Sequence, residues 1–329
     1  MAKILVTGGC GYIGCHATKA LTHKGHQAVV FDNLSTGHKE ALLNDEELIV
    51  GDLQDATHVD RVLKDGQFDA IMHFAASIVV PESVTDPLKY YRNNTANLLN
   101  LMESATRHGV YNVIFSSTAA VYGNGDGHSS FSENDPPAPV NPYGFSKYFS
   151  EQIIRDTSAA TDMKHVILRY FNVAGADSKQ RIGQRSPIST HLIKIACEAA
   201  VGIRDGMTVY GNDYETHDGT ALRDYIHVDD LADAHVLALE YLLDGGKSQT
   251  INCGYGQGFT VREVLETVES VIGRPLKIKD GDRRPGDAVK VLANTKKIHQ
   301  TLDWTPRYQD LPTIVRHAYL WEQRLKDLT

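Results

Sequence analysis

From Lys3 to Asn172 the chain repeats one pattern, a short apolar run followed by a stretch of helical character. The apolar runs read "KILVTG", "HQAVVFD", "LIVGD", "FDAIMHFAA", "NVIFSS" and "HVILRYFN", and stretches such as "YIGCHATKALTHKG" and "NNTANLLNLMESATRHG" lie between them. Strands that alternate strictly with helices need crossover connections, which build a parallel sheet covered on both faces. The expected fold is therefore α/β, a doubly wound parallel sheet of Rossmann type. The regularity fades after Asn172, where "VAGADSKQRIGQRSPIST" has the Gly, Ser and Pro of a loop and "HLIKIACEAAVG" reads as a separate helix. This places one domain at 1–172 and a smaller mixed α/β domain at 173–329. Segments around 224–255 are expected to return to the first: "DYIHVDDLADAHVLALEYLL", with an aspartate placed to cap a long helix, and the strand-like "QTINCGYG". The C-terminal "TIVRHAYLWEQRL" reads as an amphipathic helix whose apolar face belongs to the core.

A chain of 329 residues with 42% hydrophobic and 22% charged residues can bury a large core. Its net charge of −8 and the lack of a dense Lys/Arg run argue against nucleic-acid binding, which rests on phosphate neutralisation. The four cysteines, Cys10, Cys15, Cys197 and Cys253, lack metal-ligand spacing and fit reduced thiols in the cytosol. The opening "MAKILVTGG" has no signal-peptide order, and no apolar run reaches membrane-spanning length. The expectation is a cytoplasmic protein with neither metal nor membrane partner.

"TGGCGYIG" follows the first strand and opens the first helix, the context a dinucleotide fingerprint requires. Glycines 9, 11 and 14 satisfy GxGxxG, and Gly8, Gly11 and Gly14 give the wider GxxGxxG form. Either lets the backbone approach a pyrophosphate at a helix N-terminus. The second strand ends at Asp32, placed to accept ribose hydroxyls and to repel a 2′-phosphate, which favours NAD over NADP. "GDLQD" offers Asp52 and Leu53 near the adenine, and "HFAA" puts Phe74, Ala75 and Ala76 at a strand end beside the cofactor crevice.

"VIFSSTAAVYG" is a strand that ends in hydroxyls, and ligands bind at strand C-termini in such sheets. Ser116 and Thr118 share one face, and Ser117 takes the other. "NPYGFSKYFSE" then sets Tyr143 and Lys147 four residues apart, on one side of a helix. A phenol titrates near ~10, so a tyrosine base at neutral pH needs positive charge beside it, which Lys147 is placed to supply.

"TGGCGYIG", "FSSTAAVYG", "NPYGFSK" and "RDYIHVDDLADAH" resemble the extended short-chain dehydrogenase/reductase family. More specifically, "RYFNVAGA", "THLI", "YGNDYETHDGTALRDYIHV" and "RRPGD" are similar to its bacterial branch that inverts C4 of UDP-hexoses. The resemblance implies bound NAD, a UDP-hexose substrate, a homodimer, and a catalytic set of Thr118, Tyr143 and Lys147. Tyr143 would remove the proton of the sugar 4-hydroxyl while hydride leaves C4; the keto sugar would then turn and receive the hydride on its other face. It further implies cofactor contacts from Tyr12, Ile13, Asn33, Asn93, Ser116 and Phe171 as well as the residues above. For substrate it implies Thr118, Asn172, His191, Leu192 and Tyr210, with Arg223 and Arg284 on the diphosphate and Asp287 on the nucleotide ribose. A guanidinium presents a planar fork of donors that suits phosphate oxygens.

Three positions depart from the family pattern. Ile78 stands where some members carry a lysine near the cofactor. "RIGQRSPISTHLI" lacks acidic residues common in this loop, although Thr190, His191 and Leu192 match. Val291 stands where some members have a tyrosine beside the sugar, and a smaller side chain leaves room for an N-acetyl group. A nucleotide-sugar 4,6-dehydratase would need an added acid and base after the strand-end threonine, where this chain has Ala119 and Ala120. A non-enzymatic dinucleotide-binding regulator would have no need of Thr118, Tyr143 and Lys147 together.

Overall fold

The computed structural model describes residues 1–125, 130–186, 189–284 and 287–328. Strands β1 (Lys3–Thr7), β2 (Gln27–Asp32), β3 (Glu47–Val50), β4 (Ala70–His73), β5 (Asn112–Thr118) and β6 (Lys164–Tyr170) follow one another in the chain. Beyond them come β7 (Asn172–Ala174), β8 (Met207–Tyr210), β9 (Leu222–His227) and β10 (Gln249–Cys253). Seven of these form one sheet in the order β10-β6-β5-β4-β1-β2-β3, and every pairing is parallel. The order reverses between β1 and β4, which opens a crevice at their C-terminal ends. Along β1, Ile4 and Val6 enter one apolar cluster and Leu5 the other, as expected of a strand buried on both faces.

Helices α1 (Tyr12–His23), α2 (Ala56–Gly66), α3 (Val80–Thr85), α4 (Pro87–Tyr90), α5 (Asn97–Arg107) and α6 (Pro142–Ala160) connect these strands. A π-helical turn, Tyr91–Ala96, separates α4 from α5. After it come α7 (Leu192–Val201) and α8 (Val228–Leu243). Leu101 and Met102 of α5, Val59 and Leu63 of α2 and Ile154 of α6 pack on one sheet face. Ala17 and Leu21 of α1 and Leu231 and Leu239 of α8 pack on the other.

The remainder is built from β7, β9, β11 (Gly258–Thr260) and β13 (Lys290–Val291) in one small sheet, and β8 with β12 (Ile278–Gly281) in another. Helices α7, α9 (Val261–Ile272) and α11 (Leu311–Leu328) enclose its core through Ile193, Val264, Leu265, Ile314 and Val315, while α10 (Lys296–Leu302) packs Ile298 on the first lobe. The strand at 249–253 is the edge of the large sheet beside β6, whereas β9 pairs with β7, β11 and β13. The cap of α8 differs from the sequence expectation. His227 Nδ1 accepts from the backbone N–H of Asp229 at 3.0 Å, so histidine and not aspartate caps the helix. The aspartates have other partners: Asp229 accepts from His16 and Lys19, and Asp230 from the Tyr255 hydroxyl and two backbone N–H groups.

Candidate active site

The glycine loop joins β1 to α1 at the crevice. Gly8 has φ +73°, and a Cβ there would lie 2.5 Å from the Ala75 nitrogen at the end of β4. A Cβ on Gly14 would strike the Gly8 carbonyl oxygen, so this glycine lets helix and loop touch. Gly11 is the N-cap of α1 and has ordinary extended backbone. A Cβ there would meet only the Gly8 oxygen, at 3.3 Å, and otherwise project into open space. No side chain caps α1 and no acidic residue lies in its first turn. Its N-terminal amides therefore face an uncluttered space suited to a pyrophosphate.

Around this loop the cofactor candidates gather. Asp32 is buried at the tip of β2, accepting from the Cys10 amide at 2.9 Å and the Leu34 amide at 2.8 Å. Each oxygen takes one amide and keeps a lone pair for a ribose hydroxyl. Asn33 donates to Asp52 at 2.8 Å, beside buried Leu53. Phe74 and Ala75 both donate backbone N–H to Thr7, which holds β4 to β1, with half-buried Ala76 next in the chain. Tyr12 donates its hydroxyl to Gly175, across from the first lobe, and Ile13 follows it in the first turn. Asn93 lies in the π-helical turn and donates to Ser77. The residues gathered at this loop fit NAD.

The second group forms where β5 ends against α6. Asn141 caps α6 through the Gly144 amide and Pro142 occupies its first position, which fixes where the helix begins. Tyr143 and Lys147 consequently face the sheet, and both are buried. Thr118 accepts from the Ala120 amide at 3.1 Å, leaving its hydroxyl proton to bond Tyr143. Burial pushes the Tyr143 phenol up, and the Thr118 hydrogen bond opposes this. Burial brings Lys147 down to about 7, opposed by the charge of Glu151. Lys147 donates to the Ser116 carbonyl at 2.8 Å and lies over the Phe115 ring. The Ser116 hydroxyl bonds Tyr170 at 2.7 Å, and Ser117 faces away toward Glu151, so the alternation read from the sequence holds along β5.

The substrate candidates fall into two clusters. Asn172 donates to the Asp224 carbonyl at 3.2 Å, and with His191 and Leu192 it lines a small cavity. His191 bonds Gln184 at 3.0 Å. Farther along, Arg284 pairs with Asp287 at 2.9 Å and stacks over the exposed Tyr210 ring at 5.1 Å. Arg223 donates to the Leu222 carbonyl, and among the described residues it has no ion-pair partner. Burial lowers its proton affinity, opposed by Tyr225 and Asp287, which makes an incoming phosphate a fitting counter-ion. Phe171 packs with Ala119, Tyr122 and Val291, and Ile78 is exposed.

Sequence reasoning missed several groups. Glu151 is fully buried and bonded by Ser117, Arg169 and Arg155. Asn94 bonds both backbone groups of Ser77 and the Ser146 hydroxyl, clamping the crevice loop to α6. Arg283 stacks on Tyr214 at 4.1 Å beside Arg284. The one signal available was Arg169, a lone charge inside the apolar run "HVILRYF".

Fold and site together define an enzyme built around a bound dinucleotide. Residues 4–254 match the NAD dependent epimerase/dehydratase family, to which the chain belongs. A UDP-glucose 4-epimerase of Azospirillum brasilense is 52% identical over 98% of this chain and 93% of its own. The crystal structure of UDP-glucose 4-epimerase from Brucella ovis in complex with NAD superposes with TM-score 0.94 at 40% identity, covering 97% of this chain and 98% of that one. The UDP-Glc/GlcNAc 4-epimerase of Campylobacter jejuni gives TM-score 0.88 at 46% identity, covering 98% and 100%.

Proposed function

We propose that this protein is an isomerase that interconverts UDP-galactose and UDP-glucose through a 4-keto sugar, using NAD held in the crevice. The observation that carries this is the meeting of Thr118, Tyr143 and Lys147 at the end of β5. NAD held by the glycine loop and Asp32 would supply the hydride acceptor and donor for C4. Tyr143 takes the proton of the 4-hydroxyl and later gives it back, and Thr118 holds the same oxygen in line. A buried phenol is neutral at pH 7, so base action draws on positive charge from Lys147 and the nicotinamide. Asn172, His191, Leu192, Tyr210, Arg223, Arg284 and Asp287 hold the nucleotide while the hexose turns, and no net oxidation results. This assigns cofactor to 1–172, together with α8 and the edge strand at 249–253, and nucleotide to the rest of 173–329. Incubation with UDP-galactose and no added NAD, followed by proton NMR, tests the reading: UDP-glucose should form, and no conversion even with NAD supplied rejects it.

Val291 favours an added substrate. It packs beside Phe171 and Ala119 at the sugar end of the site, where its small volume leaves room for the N-acetyl group of UDP-N-acetylglucosamine. The relative from Campylobacter jejuni bears a name that includes this sugar. A homodimer is supported by Phe145 and Phe149, exposed on α6 and in ring contact with each other, Phe149 also with Tyr91. Among the described residues no helix is long and apolar enough to cross a membrane. Free, buried cysteines accord with a cytoplasmic setting.

A further inference from the structure

Tyr143, Lys147, Glu151 and Arg155 recur every four residues on α6. The first two face Thr118 and the Ser116 carbonyl. Glu151, one turn on, accepts from Ser117 at 2.6 Å and from Arg169 of β6 through two bonds, Nε at 2.9 Å and Nη2 at 2.6 Å. Three consecutive residues of β5 are thus gripped by three consecutive turns of α6. Glu151, Ser117 and Arg169 are all sealed from solvent. A buried ion pair is a weak source of stability compared with apolar packing of the same volume, so its value here lies in fixing one arrangement.

We propose that Glu151 is a positioning residue for the C4 chemistry, locking the register of α6 on β5 through Ser117 and Arg169 and holding its carboxylate charge one turn behind Lys147. This rests on the catalytic reading above. Without the lock, a slip of one residue along α6 would turn Tyr143 and Lys147 by about 100° away from their strand partners. The charge matters as well. Lys147 faces His73 and the Phe115 ring from the sheet, and Glu151 from its own helix. Glu151 in turn faces Arg169 and His165 of β6 and Arg155 of α6. Glu151 is the group that favours the ammonium form of Lys147 against its burial.

The test uses the full NAD-loaded protein with its lysine side chains labelled with carbon-13, the Lys147 signal being assigned by its loss in Lys147→Met. In Glu151→Gln the Lys147 titration should move down by about one pH unit or more. Turnover of UDP-galactose per bound NAD should fall about 10- to 100-fold, with KM held within about twofold. Ser117→Ala keeps the charge and loosens the register, so turnover should fall while the lysine titration stays in place. If Glu151→Gln does not fold, Glu151→Gln with Arg169→Met removes both charges, and the downward titration must persist there. An unmoved titration in the Glu151 variants, or turnover per bound NAD equal to wild type in the Glu151 or Ser117 variants, overturns the proposal. The titration needs no substrate, so its result is independent of whether the wild type converts UDP-galactose.

Discussion

Lys147 donates to the carbonyl oxygen of Ser116 at 2.8 Å, a bond made deep in the protein between the middle of α6 and the strand that ends at Thr118. An ammonium in this setting has one carbonyl and one ring face in place of water, which is why its proton is held weakly.

The first prediction follows from that weak hold. Burial lowers Lys147 to about 7, against an unfolded value near ~10.4. Between these values the unfolded chain binds more protons, so this group's penalty is full below pH 7 and is relieved as pH rises toward 10. Urea unfolding of the NAD-free protein should show stability rising with pH across this window by about 1 kcal/mol per unit more than in Lys147→Met. Parallel curves for the two proteins would contradict this.

Tyr143→Phe keeps the ring packed against Tyr90 and removes only the proton carrier. Turnover of UDP-galactose should drop about 10²- to 10⁴-fold, while UDP affinity measured by calorimetry stays the same. Retained turnover would leave Tyr143 a packed aromatic.

Two alanine substitutions in the glycine loop should separate folding from cofactor binding. At Gly11 the backbone accepts alanine and the added methyl meets little protein. Gly11→Ala should therefore keep the melting temperature of the NAD-free protein and lose most NAD affinity. Gly14→Ala collides with the Gly8 carbonyl and should cost about 1–3 kcal/mol of stability as well. Normal NAD content in Gly11→Ala would refute the placement of the pyrophosphate.

Arg284→Ala removes a fork that pairs with Asp287 at the surface and stacks on Tyr210. An exposed ion pair adds little to stability, whereas a charge-assisted bond to phosphate is worth about 1.5–3 kcal/mol. UDP should bind about 10- to 100-fold more weakly, with the melting temperature nearly unchanged; equal UDP affinity would remove Arg284 from the site.

Val291→Tyr should reduce turnover of UDP-N-acetylglucosamine by about tenfold or more while sparing UDP-galactose. Absence of any wild-type turnover on the acetylated sugar would end the hypothesis.

The large sheet was legible because β1, β3, β4 and β5 are each a short apolar run that leads on to a helix, and periodicity is a local signal; β2 reaches β3 through only a three-residue turn of 3-10 helix. The hydroxyl alternation at Ser116, Ser117 and Thr118 was legible for the same reason. What Glu151 does was not, since its partners Ser117 and Arg169 lie 34 and 18 residues away and only the packing of α6 across β5 and β6 brings them together. The cap of α8 misled because the aspartates that look like caps are drawn off by His16, Lys19 and Tyr255 from distant segments. Likewise, no local pattern says that Gln249–Cys253 joins the large sheet while Leu222–His227 does not.

That last strand has a consequence for how the chain is made. Ile251 pairs with Leu168, so the edge of the cofactor-binding sheet cannot close until residue 253 has left the ribosome. Parallel pairings so far apart in sequence form late and slowly, and until then β6 presents an open row of backbone groups to any neighbouring nascent chain. The lobe that holds the cofactor is therefore not an autonomous folding unit of the first 172 residues. Its completion waits on chain that has already begun the other lobe.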